Sequence, residues 1–265
     1  MSHWYTREGE PRHKQRKKDG EERDTHVGDA KKQKLLPSVT EIIKIKSEPG
    51  LEAHRRRAIA AAAYLCPPSS FETEKEWTAH IMKKADEPGN LAKEFGNLIH
   101  ARMEGIVSGR EPLVESEMVV LPEGPEVPMA SLINPTLIVL NDLNLQVQST
   151  ERILTSRLGY AGTSDMLATK DGLPIILDYK TTKTEEGEPI VVYPAYQMQI
   201  AAYWNAAYPS HSGSGMGGYN IFISSTEPGR VEAHWYDGEE LEDAWKEFVA
   251  CLVLWKQAKK YPSGW

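Results

Sequence analysis

Cysteine is almost missing from this sequence: Cys66 and Cys251 are the two in 265 residues. Two thiols cannot build a disulfide framework, a four-cysteine zinc site or an iron–sulfur cluster. No apolar run reaches the ~18 residues of a membrane helix. The N-terminus has no apolar leader core, and its acids argue against a transit peptide. A cytoplasmic, reducing location without a membrane partner is therefore the expectation. Walker A, H-E-x-x-H, C-x-x-C and G-x-S-x-G patterns are absent, and no two histidines stand four apart. That removes the usual P-loop, zinc-protease and serine-hydrolase readings. Gly213, Gly215 and Gly218 fit G-x-G-x-x-G, but they follow a helical pattern and precede a strand pattern. A dinucleotide loop needs the reverse order, so this segment reads as a linker.

Charge is unevenly spread. Residues 1–34 hold ten Lys/Arg and seven Asp/Glu, or +3, and the remaining 21 basic and 31 acidic residues leave −10. The first segment has few apolar residues and includes the basic run 12–18. It reads as a disordered charged tail, with a loose DNA tether as the sharper alternative. One domain is expected over 35–265, made of a helical part at 35–110 and a sheet-containing core at 111–265.

Ser38 and Glu41 form a capping-box pattern ahead of Ile42 and Ile43. Residues 51–65 read as an alanine-rich helix, and 72–85 as another that ends at Pro88-Gly89. Asn90 then caps an amphipathic helix at 91–107, whose stripe is Leu91, Phe95, Leu98, Ile99, Met103 and Ile106. Residues 110–130 read as a strand with a long loop, and 131–144 as helix or strand. Strands are expected at 146–157, 162–169, 173–180, 219–225 and 230–236, with Asp171-Gly172 as a hairpin turn. Helices are expected at 194–208 and 239–260. This order predicts an α/β or α+β domain around one mixed sheet flanked by helices.

Asp178 and Lys180 end the apolar run at 174–177 and share one face of a strand. Such a pair could be a structural ion pair. Across the Asp-Gly turn, however, a hairpin can bring Asp165 beside Asp178. Two adjacent carboxylates repel unless a proton or cation lies between them, and oxygen ligands suit Mg²⁺ or Mn²⁺. Upstream, Gly96 stands one helical turn before His100 and permits close approach of another element. Glu104, one turn later, adds a polar group to the same face. Gln199 and Tyr203 put an amide and a phenol one turn apart.

In order, Gly96/His100, Glu151, Gly162/Asp165, Asp178/Lys180 and Gln199/Tyr203 resemble the motif series of the PD-(D/E)XK nuclease superfamily in its RecB-like branch. The stretch Pro37–Thr40, the alanine-rich helix and Gly159–Gly162 look like the mitochondrial genome maintenance exonucleases and their phage-encoded relatives. The resemblance covers about residues 35–208.

It implies a restriction-endonuclease-like core and a metal-dependent DNA exonuclease preferring single strands with a free end. It also implies one or two Mg²⁺ or Mn²⁺ ions held by Asp165, Asp178, the Tyr179 carbonyl and His100. Glu151 would hold a water or a second ion, and Lys180 would orient or deprotonate the attacking water. Gln199 and Tyr203 would position Lys180 or the DNA backbone. Arg55, Arg56 and Arg57 are candidate DNA contacts on a helix that could arch over the site. A structure-specific or recombination endonuclease and a catalytically silent DNA-binding module are the alternatives.

Overall fold

A computed structural model describes residues 3–17, 19–46, 49–68, 73–210 and 217–262. Its centre is a five-stranded mixed sheet, ordered β11-β10-β9-β8-β7. The strands are β7 (Gln146–Ser156), β8 (Tyr160–Lys170), β9 (Leu173–Thr182), β10 (Gly218–Ser224) and β11 (Val231–Tyr236). β7, β8 and β9 form an antiparallel meander. Asp171 and Gly172 turn β8 into β9 at φ +51° and +80°. Positive φ at both central residues is what a tight hairpin turn requires and what Asp-Gly tolerates. β10 lies parallel to β9 and is reached through helix α6 (Pro194–Ala207).

Strand alternation sends side chains to two helical layers. Leu167 and Ile176 join a core with α6 and α7 (Gly238–Ala258). Met166, Ala168, Ile175 and Leu177 join a core with α4 (Glu74–Val107) and α5 (Ala130–Asp142). The predicted mixed sheet flanked by helices is therefore the observed architecture. The ambiguous 131–144 segment is the helix α5. The expected strand in 110–130 is a short hairpin of β5 (Met118–Val120) and β6 (Glu126–Pro128).

Two expectations fail upstream. The helices at 72–85 and 91–107 are one continuous helix, α4, which runs through Pro88. Its N-terminal half lies against α3 (Pro49–Leu65), so tertiary packing overrides the Pro-Gly break. Leu91 and Leu98 are exposed, which narrows the buried stripe to Phe95, Ile99 and Met103. Gly109 does end the helix, in the left-handed region at φ +70°.

The N-terminal segment is not a disordered tail. It forms β1 (Trp4–Tyr5), β2 (Lys14–Arg16), β3 (Glu22–Asp24) and α1 (Val27–Gln33), and β1 pairs with β4 (Leu36–Pro37). Trp4 is buried and stacks on Tyr261 at 5.9 Å between ring centroids, with Trp255 at 6.1 Å. Its indole donates to the Thr25 carbonyl at 3.0 Å, and Tyr261 donates to the Leu35 carbonyl at 2.6 Å. A few apolar residues suffice here because their partners come from the C-terminal end of the chain. The Ser38 cap is as expected, accepting the Glu41 N–H at 3.1 Å at the start of α2 (Val39–Ile43). Gly213 and Gly215 lie outside the described residues.

Candidate active site

The site forms where the β8–β9 ladder stops. Pairing runs from Lys170/Leu173 to Met166/Leu177 and ends there. Asp165 and Asp178 would be the next pair. Instead the Tyr179 N–H donates to Asp165 Oδ2 at 2.7 Å, so a side chain takes over from the ladder. Beyond this point β9 continues beside β10, with Asp178 opposite Asn220. The two carboxylates thus sit at a fork in the sheet, 9% and 2% exposed.

Three other elements bring residues to the fork. α4 is anchored by Phe95, Ile99 and Met103, and it approaches β9 closely at Gly96. A Cβ on Gly96 would lie 2.9 Å from Thr181 Oγ1. One turn later, His100 Nδ1 is 3.3 Å from Asp165 Oδ2. α6 presents Gln199 and Tyr203. Lys180 is ion-paired with Asp178 and donates to Gln199 Oε1 at 3.0 Å, and Gln199 donates to the Tyr203 hydroxyl at 3.0 Å. Gly162 makes room for this chain of contacts, because a Cβ there would meet Tyr203 Cε1 at 2.6 Å. The third element is β7, which supplies Glu151 from a backbone in the left-handed region, φ +47°. Its neighbours Thr150 and Arg152 pair with Met166 and Ser164, which sets Glu151 across from Asp165. A non-glycine residue held there is strained, and such strain clusters at functional sites.

Together these residues line a cleft of about 490 Å³. One ligand atom from each of His100, Glu151 and Asp165 lies within 4.8 Å of the other two. Asp178 is beside this group but committed to Lys180 and to Asn220, whose amide donates to its carbonyl and to Oδ2, each at 3.2 Å. Tyr179 contributes its N–H to Asp165, and its own phenol is buried in the α4–α5 core. Glu104 lines the cleft and pairs with Arg110.

Burial, then the nearby Asp165 and Glu104 charges, push the Glu151 carboxyl up to about 7. Burial pushes Asp178 up to about 6, and the Asp165 charge adds to this against the pull of Lys180. Burial alone would make His100 a weaker base, but the Asp165 carboxylate outweighs it and raises its pKa. Asp165 moves the opposite way: His100 holds it below the ordinary carboxylate range despite burial. Carboxylate oxygens of Glu151 and Asp165 and one imidazole, converging in one cleft, fit a divalent cation such as Mg²⁺ or Mn²⁺.

Of the residues expected from the sequence, the cleft brings together His100, Glu104, Glu151, Asp165, Asp178, Lys180, Gln199 and Tyr203. It does not include Arg55, Arg56 and Arg57. These are exposed on α3, and Arg56 is paired with Glu52 at 3.1 Å. Several contributors were not anticipated, Asn220, His3, Tyr5 and His13 among them. Asn220 positions Asp178 and accepts the Tyr236 hydroxyl at 2.9 Å. Its sequence signal was a lone amide inside the apolar run Tyr219–Ile223. His3, Tyr5 and His13 line the cleft from the N-terminal segment, and the Tyr5 hydroxyl meets Thr163 Oγ1 at 3.1 Å. No spacing pattern marks them.

No protein-family model matches the chain, and no curated protein is detectably similar to it in sequence. Among solved structures, the crystal structure of SSO0001 superposes with a TM-score of 0.30 at 13% identity, over 76% of this chain and 85% of that one. Similarity at that level says nothing about what this chain does. Among the described residues no helix is long and apolar enough to cross a membrane.

Proposed function

We propose that this chain is a divalent-metal-dependent deoxyribonuclease of the PD-(D/E)XK type, RecB-like branch, which hydrolyses phosphodiester bonds in single-stranded DNA from a free end. The observation that carries the reading is the fork in the sheet. Asp165 and Asp178 are buried side by side there, with Lys180 held against Asp178 and with His100 and Glu151 in the same cleft. A purely structural ion pair would need Asp178 and Lys180 alone. It would not explain a buried Asp165 and a strained Glu151 around them.

Hydrolysis of a phosphodiester needs a water aligned with the leaving oxygen and stabilisation of the charge that develops on phosphate. A bound Mg²⁺ or Mn²⁺ supplies Lewis acidity and lowers the pKa of water. Asp165, His100 and Glu151 would hold it, with Asp178 adjoining. Lys180 Nζ has its position fixed from two sides, by Asp178 and by Gln199, and the Tyr203 hydroxyl in turn fixes Gln199. An ammonium held this firmly orients the attacking water and offsets phosphate charge at no further ordering cost. The amide of Asn220 holds Asp178 in the rotamer that faces Lys180.

A cleft of about 490 Å³ has room for a nucleotide; the single-strand preference is carried over from the resemblance to RecB-like exonucleases. The test compares a linear oligonucleotide with a covalently closed single-stranded circle in Mg²⁺ or Mn²⁺. The linear strand is expected to shorten while the circle survives. Rapid cutting of the circle would instead make the protein an endonuclease with the same chemistry.

A further inference from the structure

The N-terminal segment puts a graded stack of rings into the cleft. Tyr5 is buried, His13 half-buried and His3 exposed, and all three line the cleft wall. The Tyr5 ring meets His13 edge-on at 5.1 Å between centroids. His13 in turn lies flat against His3 at 4.5 Å, with 22° between the ring planes. With one face of His3 covered by His13, its exposure lies on the opposite face and the edges. A ring cluster that served packing alone would close on itself in the core. This one rises out of the core and stops at the surface of the cleft.

The stack is held from behind. His13 Nδ1 accepts the Trp4 N–H at 3.1 Å, and the His13 carbonyl accepts the Thr25 N–H at 2.8 Å. The His3 carbonyl accepts the N–H of Ser38, another cleft residue, at 3.1 Å. The Tyr5 hydroxyl meets Thr163 Oγ1. Thr163 and Asp165 are two positions apart on β8, so they share a strand face at a separation of roughly 7 Å. One end of the cleft is thus built of carboxylates, His100 and Lys180, and the other of fixed flat rings. A nucleotide has the same two ends, a phosphate and a flat base.

We propose that the open face of His3, backed by His13 and Tyr5, is a platform on which one nucleobase of the strand stacks while its phosphate meets the acids and Lys180. That the ligand is a polynucleotide rests on the nuclease reading. Stacking of this kind is indifferent to sequence, because every base has a π-face. Rings fixed before the strand arrives lose little freedom when it binds.

The test is calorimetric titration of the full chain at pH 8, in EDTA and in Ca²⁺. The ligands are a thymidylate octamer and an octamer of abasic residues with the same phosphates. The unaltered chain is expected to bind the thymidylate about tenfold more tightly, as for one base stacked on a ring. His3→Ala should lower that preference about fivefold, and His3→Phe should restore it. Histidine is uncharged at pH 8 and the two octamers carry equal charge, so the preference should hold as salt rises although both affinities fall. His54→Ala on α3 controls for loss of an imidazole outside the cleft, and melting curves confirm that each protein is folded. Equal affinity of the unaltered chain for the two octamers, or no binding of either, overturns the platform. So does a preference untouched by His3→Ala, unrestored by His3→Phe or equally lost in His54→Ala. Cleavage assayed separately in Mg²⁺ keeps the two claims apart. A base preference that depends on His3, without cleavage, rejects the nuclease reading alone. Cleavage without that preference rejects the platform alone.

Discussion

Asp165 Oδ2 accepts the Tyr179 N–H at 2.7 Å, at the point where β8 and β9 part. One carboxylate therefore closes off the sheet and faces the cleft. Its two duties can be separated by substitution. Asp165→Asn keeps a side-chain acceptor for the Tyr179 N–H and is expected to fold with nearly unaltered stability. Asp165→Ala leaves that buried donor unpaired and should cost about 1–3 kcal/mol in urea unfolding. Both should be inactive. An Ala variant as stable as the Asn variant would mean that the bond has no part in holding the fork.

The N-terminal segment is expected to be integral to the folded domain. Trp4, 1% exposed against Trp255 and Tyr261, should lose about 3–5 kcal/mol on replacement by alanine. Chemical denaturation measures this directly. A loss below about 1 kcal/mol would show that the segment docks only loosely.

Glu151 makes the metal-free protein pH-dependent with a definite sign. Its carboxyl is raised to about 7 in the folded chain, against 4.5 as the ordinary value. The folded state therefore holds a proton that the unfolded state has released between these values, and stability falls as pH rises through that window. Glu151→Gln removes the effect. The two proteins should be similar at pH 5, and the Gln variant should be the more stable at pH 8. Discounted for the partial exposure of Glu151, the gap is on the order of 1 kcal/mol. Mn²⁺ at pH 8 should stabilise the unaltered chain more than the variant. Parallel pH profiles would refute the burial of charge at this position.

The strands were legible because their patterning is local: alternation along β8 and β9 and the Asp-Gly turn between them are sufficient to put Asp165 near Asp178. The close approach at Gly96 was legible for the same reason, since a small residue one turn before a polar one on an amphipathic helix has few other uses. What stayed hidden depends on distant partners. Trp4 looked like a stray aromatic among charges until Trp255 and Tyr261 supplied its neighbours from the other end of the chain. Pro88 and Gly89 read as a break because the support from α3 is tertiary. His3, Tyr5 and His13 reach the cleft only through the pairing of β1 with β4, which two-residue strands do not announce.

The most direct test of the central claim is cleavage of an end-labelled single-stranded oligonucleotide by the unaltered chain, by Asp178→Asn and by Lys180→Ala. Each is assayed in Mg²⁺, in Mn²⁺ and in EDTA, with circular dichroism to confirm folding. The unaltered chain should shorten the strand in either metal and leave it intact in EDTA. Each variant should be folded and slower by about three orders of magnitude or more, equivalent to about 4 kcal/mol of transition-state stabilisation. Cleavage that persists in EDTA, a folded Lys180→Ala protein that cuts at the unaltered rate, or no cleavage in either metal would contradict the account.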